Sequence, residues 1–512
     1  MRRILQRLIA SWALLALAGC ASVDWDYPKS ESRAIQGSED SYLGRQVADY
    51  VAAHPGEGGF YPVYDGIDAL ALRLLLAERA EHTIDVQYFL IHNDLVGKVF
   101  VNALLQAANR GVRVRFLLDD VLAKGLDPGL AILDSHENFE VRIFNPFANR
   151  SARALDVANL GRVTRRMHNK SFTVDNQITL MGGRNIADEY FGARPDHKFG
   201  DLDVLAIGPI VSEVSDMFDT YWNHRAAIPM AALAETPENA TEALSNFETR
   251  VRKSLEGIET SRYADAVERS FDYYVGTTSN EFIWAPYDLV YDSPDKSSAE
   301  TADESEFLMN QMSASIGEVK EDLFVVTPYF VLLDEDIEAF QRLRDRGVNV
   351  TVLTNSLASN NHVVVHGGYK AVRKPLLEMG VNLYEQRANV DAPADKPLPK
   401  DIPVSTLHAK TFVVDNNSIF IGSFNWNQRS LNRDTELGVI IHSPQIAGEL
   451  VELVSEALPT RAFQVYTNES NDLRWKCYED GNEVIVKKEP QTGFWKRFNA
   501  GFLRFMPIRS QL

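Results

Sequence analysis

Two halves of this chain repeat one another at a separation of 236 to 240 residues, and that duplication restricts the fold more than any single segment does. Residues 84–92 (IDVQYFLIH) form an apolar, strand-like run. Helical spacing follows from Leu95 to Ala108, then a glycine turn, then strand-like runs at 111–120 (GVRVRFLLDD) and 139–147 (FEVRIFNPF). MHNKSFTVD comes next, at 167–175. The second half replays this order with EDLFVVTPYFVLL (321–333), a helix ending near 344–347, GVNVTVLTNS (347–356), GVNLYE (380–385) and LHAKTFVVD (407–415).

Apolar strands alternating with helices argue for an α/β fold in which each half carries a mixed β-sheet flanked by helices. Two copies predict two lobes related by a pseudo-twofold axis. The chain then divides into a leader (1–19), an N-terminal lead-in (20–59), a first lobe (60–224), a helical excursion and linker (225–306), a second lobe (307–465) and a C-terminal extension (466–512). Within the linker, 292–306 is acidic, serine-rich and free of large apolar residues, which predicts a solvated loop. Asp391 to Pro403 holds four prolines and predicts an extended loop near a cleft.

The chemistry lies in the duplicated segment. His168, Lys170, Asp175, Gly182 and Asn185 are matched by His408, Lys410, Asp415, Gly422 and Asn425, with identical offsets of two, seven, fourteen and seventeen residues from each histidine. One H-x-K carries no weight; two copies with four preserved offsets do. In an extended segment His168 and Lys170 share a face, as do His408 and Lys410, so each lobe can present one imidazole and one ammonium to the interface. Glycines allow close backbone approach, and Asn185 and Asn425 add neutral donors. Two imidazoles among cationic and amide donors suit a phosphoryl group held without a metal or other cofactor. One histidine can attack phosphorus while the other protonates the leaving oxygen.

The pattern H-x-K-x4-D-x6-G-[GS]-x-N, present twice, resembles the phospholipase D superfamily from about residue 60 onward. LHAKTFVVDNNSIFIGSFNWNQRSLNRDTE (407–436) is similar to its second signature. MHNKSFTVDNQITLMGGRNIADEYF (167–191), TNSLASNNHVVVHGGYKAVRKPLLEMGVNLYE (354–385) and KKEPQTGFWKRF (487–498) resemble the C-type bacterial cardiolipin synthases. The resemblance implies two phospholipase D-like lobes sharing one site, a phosphohistidine intermediate and phosphatidyl transfer, with phosphatidylglycerol and phosphatidylethanolamine as lipid partners. It implies His168 as nucleophile and His408 as general acid/base, with Lys170, Lys410, Asn185 and Asn425 gripping the phosphate. It also implies that Glu436 orients His408, and that the matching acid of the first lobe is Asp201, with Asp203 as fallback. Asp175 and Asp415 complete the catalytic set as members that buttress the hairpin. Gly183, Arg184, Ser423, Arg429 and Ser430 are the expected substrate-binding positions.

The first twenty residues bear on location. Arg2, Arg3 and Arg7 precede an apolar run from Leu8 to Ala18, which reads as a signal peptide. Leu17-Ala18-Gly19-Cys20 resembles a lipobox, implying a lipidated Cys20, a periplasm-facing envelope lipoprotein and, with Ala21 next, the outer membrane. Loss of residues 1–19 would remove three of the 52 basic residues and none of the 71 acids, leaving a net charge of -22. Such a charge makes general nucleic-acid affinity costly and disfavours a nuclease. A monomer is expected.

Other features have plainer readings. His362 and His366 sit four apart, but the three valines between them favour a strand, with a packing or substrate-loop role. Asp119 and Asp120 read as loop scaffolding at a strand end. Arg150, Arg153, Arg162, Arg165 and Arg166 stand where an acidic protein would need positive potential to receive an anionic lipid. A basic, aromatic tail at 494–505 suits either a headgroup interface or packing on the second lobe. Against phosphatidyl transfer stand a hydrolytic phospholipase D and a non-enzymatic lipid-binding lipoprotein.

Overall fold

The computed structural model describes residues 22–503 and 509, apart from 151–152, 154–155, 157–159, 195, 257–261, 277–280, 298–302 and 400. The signal segment and Cys20 lie outside the described residues.

The duplication appears as two sheets with one wiring. In the first, Thr83–Tyr88, Arg113–Asp119 and Phe139–Phe144 run parallel, and Ser171–Val174, Ile178–Gly182 and Asp203–Ile207 extend the sheet antiparallel on the other side. In the second, Asp322–Val326, Asn349–Asn355 and Asn382–Gln386 run parallel, with Thr411–Val414, Ser418–Gly422 and Leu437–Ile441 antiparallel in the same order. All six residues of Thr83–Tyr88 are buried, so helices must cover both faces, as the continuous apolar run requires.

The lobes meet through a shared core. Met167, Met181 and Val204 of the first lobe pack in one cluster with Ile419, Ile421 and Val439 of the second, together with Val214 and Phe218 of helix Ile210–Asn223. Val404–Leu407 pairs in parallel with His197–Gly200, a small two-stranded sheet that joins the lobes directly ahead of His408 and Asp201.

The division between the lobes differs from the sequence reading. Ala227–Pro229 and Ile283–Ala285 are edge strands of the first sheet, so the helices Ala240–Leu255 and Arg262–Gly276 form an excursion that starts and ends within that lobe. Tyr287–Tyr291 already belongs to the second sheet. Its far side is extended by Ala462–Thr467, Leu473–Glu479 and Asn482–Val486, so much of the C-terminal extension continues the lobe.

Residues 292–297 are not a solvated loop. Asp292 and Lys296 are buried and paired at 2.9 Å. Asp292 accepts hydrogen bonds from the backbone N–H groups of Leu308 and Glu436, and Lys296 donates to the carbonyl of Ser430. Composition suggested solvation because both charges find partners only in tertiary structure.

Candidate active site

Each motif histidine leads into a tight hairpin. The turns are Asp175-Asn176 and Asp415-Asn416, all four with φ near +50°, the conformation of two-residue hairpin turns. The Asp175 carboxylate accepts from the backbone N–H groups of Glu81, His82 and Thr83. Asp415 accepts from those of Lys320, Glu321 and Asp322. Each therefore pins its hairpin to the start of the central parallel strand, at the end away from the histidine. Each thus buttresses its hairpin, as expected of it from the sequence.

The imidazoles are oriented by the opposite lobe. His168 Nδ1 lies 2.9 Å from Glu436 Oε2, and His408 Nδ1 lies 2.6 Å from Asp201 Oδ2. This corrects the expected pairing of Glu436 with His408: both acids reach across the interface. The backbone supplies the reason. His168 N–H donates to the carbonyl of Thr435 (2.8 Å) and His408 N–H to that of Gly200 (2.7 Å), so each histidine is hooked to the residue preceding its partner acid. A donating Nδ1–H leaves Nε2 with its lone pair free.

The lysines lie at hydrogen-bond distance from their own histidines. Lys170 and Lys410 each donate to the backbone carbonyl of the histidine two residues before, and Lys410 Nζ is also 3.2 Å from His408 Nε2. Burial is the main influence on every charge here. It lowers Lys170 to about 7 and Lys410 to about 8, against the pull of nearby Glu436 and Asp201. Burial and then Lys410 depress His408 to about 3, and burial with both lysines holds His168 well below the usual imidazole value. Burial raises Glu436 to about 7, whereas His408 and Lys410 overcome burial to keep Asp201 ionised far below the ordinary range.

One pocket of about 380 Å³ collects His168, His408, Asn185, Asn425, Arg429 and Ser430. Phe89, Leu90, Leu122, Phe199, Tyr329 and Val365 add apolar wall. The amide oxygens of Asn185 and Asn425 are buried without hydrogen-bond partners. Lys170 and Lys410, beside the imidazoles, can offer positive charge to an anion when protonated. The family described as "Cardiolipin synthase, PLD-like domain" matches residues 75–222 and 312–457, the two lobes just described.

The chain belongs to the phospholipase D superfamily. Within that superfamily it is 39% identical over 471 residues to cardiolipin synthase C of Escherichia coli K12, covering 91% of this chain and 98% of that protein. It is 27% identical to cardiolipin synthase A of Pseudomonas syringae pv. syringae, over 77% of this chain and 67% of the relative. The solved structure of phosphatidylserine synthase from Haemophilus influenzae Rd KW20 shares the fold, with a TM-score of 0.53 at 14% identity over 82% of this chain and 91% of that one.

The remaining sequence-derived positions divide by what they touch. Arg184 is turned into the scaffold, donating to the carbonyls of Val63 (2.9 Å), Tyr64 (2.5 Å) and Asp201 (2.7 Å), so it is not a substrate contact. Gly183 and Ser423 support the acids. A Cβ at Gly183 would lie 2.1 Å from Asp201 Oδ1, whereas the Ser423 hydroxyl donates to Glu436. Ser430 donates to Glu436 Oε1 at 2.6 Å. Asp203, the fallback acid, is spent on Arg73 at 2.8 Å.

The arginine run is tied up locally, by acids or by carbonyl and amide oxygens, rather than aimed at a lipid. Arg150 and Arg153 pair with Asp120, Arg166 with Asp119, and Arg162 hydrogen-bonds Asn145, which leaves the two aspartates as the loop scaffolding expected of them. Arg165 donates to the carbonyls of Lys296 and Asn432.

His362 stands immediately before helix Val363–Glu378, with no side-chain capping hydrogen bond, instead of lying in a strand, because β-branched preference yields to tertiary packing. His366 is buried against Arg373 at 3.1 Å, with Glu489 at 3.7 Å. His362 and Val365 do line the pocket, while the described residues of the proline-rich loop do not.

Sequence reasoning passed over three aromatics. Tyr190 sits 3.5 Å from His408 Nε2 and accepts from Asn185. Phe199 stacks on the His408 ring, and Phe89 meets the His168 ring edge-on. The available signal was position: Phe199 stands two residues before Asp201, and Phe89 directly follows the strand Thr83–Tyr88.

Proposed function

We propose that this protein is a phosphatidyltransferase that joins two phospholipids, and that His168 carries the phosphatidyl group between them. The observation that supports this reading best is the crossed pair of imidazole–carboxylate contacts facing one pocket. His168 Nε2 attacks the donor phosphorus while His408, protonated and backed by the ionised Asp201, gives its proton to the departing headgroup oxygen. An anionic phosphodiester between Lys170 and Lys410 raises the low imidazole value of the empty site and lets His408 hold that proton. Lys170, Lys410, Asn185 and Asn425 balance the charge growing on the non-bridging oxygens. His408, now neutral, takes the proton of an acceptor hydroxyl. That oxygen attacks the same phosphorus, the P–N bond breaks, and His168 is regenerated.

With phosphatidylglycerol as acceptor and phosphatidylethanolamine or a second phosphatidylglycerol as donor, the product is cardiolipin, and ethanolamine or glycerol leaves. The apolar wall around the histidines favours a lipid alcohol over water at the second step, which separates transfer from hydrolysis. The pocket's reactive half-sites speak against a purely binding lipoprotein. Among the described residues no helix is long and apolar enough to cross a membrane. Anchoring through a lipidated Cys20 at the periplasmic face of the envelope is part of this proposal, the outer membrane being favoured by Ala21.

Purified protein in mixed vesicles of the two lipids, with excess chelator present, is expected to make cardiolipin and release the small alcohol. Phosphatidic acid as the dominant product at every acceptor concentration would make it a phospholipase D. Loss of turnover restored by one divalent ion would overturn the phosphohistidine route.

A further inference from the structure

The helix Phe494–Leu503 wears its apolar side outward. Phe494, Phe498 and Phe502 recur every four residues, and Trp495 lies beside them, so a helix gathers them into one stripe. Such a stripe ordinarily packs against a core. Here Phe494 is 63%, Trp495 72%, Phe498 55% and Phe502 64% exposed, and the rings of Phe494, Trp495 and Phe498 pack on one another. The inward face is the small and basic one. Ala500 is fully buried, Lys496 donates to the carbonyl of Ala358 at 3.2 Å, and Arg497 donates to that of Thr492.

Single exposed apolar residues are ordinary on a protein surface; four large ones on one stripe mark a contact surface. Its position indicates the partner. The helix packs on Val363–Glu378, and the start of that helix lines the active pocket through His362 and Val365. Val364, between them, is 40% exposed, and Leu122 on the first-lobe side of the pocket is 45% exposed. Lys487 and Lys488, both exposed, precede the aromatic helix. Aromatic side chains with lysines beside them match the boundary between acyl chains and anionic headgroups.

We infer that Phe494–Leu503 is an interfacial helix that inserts its aromatic stripe into an anionic phospholipid bilayer and thereby presents the pocket mouth to the headgroups. The insertion stands on the helix alone; the presentation of the pocket rests on the lipid reading given above.

Full-length protein on vesicles of phosphatidylglycerol and phosphatidylethanolamine with brominated acyl chains tests the insertion. Trp495 emission, taken as the difference between wild type and W495F, is expected to be quenched at least twofold. An unquenched Trp495 overturns the insertion, and a stripe found instead to hold two copies of the chain together does the same. For the presentation, the combined variant F494S/W495S/F498S/F502S is expected to lose at least tenfold in turnover of vesicle lipid while keeping its rate on a soluble chromogenic phosphodiester. Equal loss on both substrates, or on neither, overturns the presentation. If wild type turns over neither substrate, the reaction reading has failed, and the quenching result still decides the insertion.

Discussion

The two half-sites meet one requirement, an oriented imidazole, by opposite means. In the second lobe the acid is long: Glu436 is buried and takes hydroxyl hydrogen bonds from Ser423 and Ser430 before it reaches His168. In the first lobe the acid is short: Asp201 is pressed against Gly183, takes the backbone N–H of Leu202, and reaches His408 at 2.6 Å. The residue after the motif's first glycine, Gly183 or Ser423, is thus matched to the length of its acid. The electrostatics differ as well, since Glu436 is pushed up toward neutrality while Asp201 stays ionised. That difference suits His408, beside the permanent charge, to carrying the proton.

The largest expected effect tests whether both half-sites serve one reaction. His168→Ala and His408→Ala should each lower turnover of vesicle lipid by ~10³-fold or more without unfolding the protein. Melting temperatures near wild type would confirm that folding is intact, and more than a few per cent residual activity in either variant would break the shared-site model. With His408 replaced, a phosphohistidine should accumulate on His168. Its appearance on position 408 in the reciprocal variant alone would reverse the roles.

Exchanging the matched small residues sharpens the comparison. Gly183→Ser drives a Cβ to 2.1 Å from Asp201 Oδ1, so the acid must shift, and should cost ~10²-fold in turnover because a displaced acid no longer orients His408. Ser423→Ala removes one charge-assisted hydrogen bond, worth ~1.5–3 kcal/mol at most, and should cost about tenfold. Equal losses in the two variants would show that acid length and small residue are not coupled.

The smallest effect separates the acids by pH. A carboxyl raised in the folded state stabilises the protein at low pH and loses that contribution as pH rises through its folded value. Glu436→Gln should therefore gain stability relative to wild type as pH rises from 4.5 to about 7. Asp201, depressed, contributes fully above its unfolded value near 3.8, so Asp201→Asn should be destabilised by a constant amount over the same window. Thermal melts across that range check both signs.

Legibility of the site followed the range of the interactions. His168, Lys170, Asn185 and their second-lobe counterparts were evident because each set lies within eighteen residues of chain and the spacing recurs. One short-range error, Arg184 as a substrate contact, arose because motif membership says nothing about which way a side chain faces. Residues 292–297 misled for the same reason, since their charges are satisfied by Leu308, Glu436 and Ser430.

The sequence alone determined that the chain forms two α/β lobes of one wiring, each offering a histidine and a lysine to a common face. Apolar periodicity and exact repetition of spacing are local properties, and they survive without knowledge of the partner segment. Tertiary structure alone decided that Glu436 serves His168 and Asp201 serves His408. Those pairs are 268 and 207 residues apart, and they form because the backbone hooks from His168 to Thr435 and from His408 to Gly200 draw each acid across the interface. The direction of the aromatic stripe at 494–502 was decided in the same way, since a helical period fixes which residues share a face and only packing on Val363–Glu378 fixes where that face points.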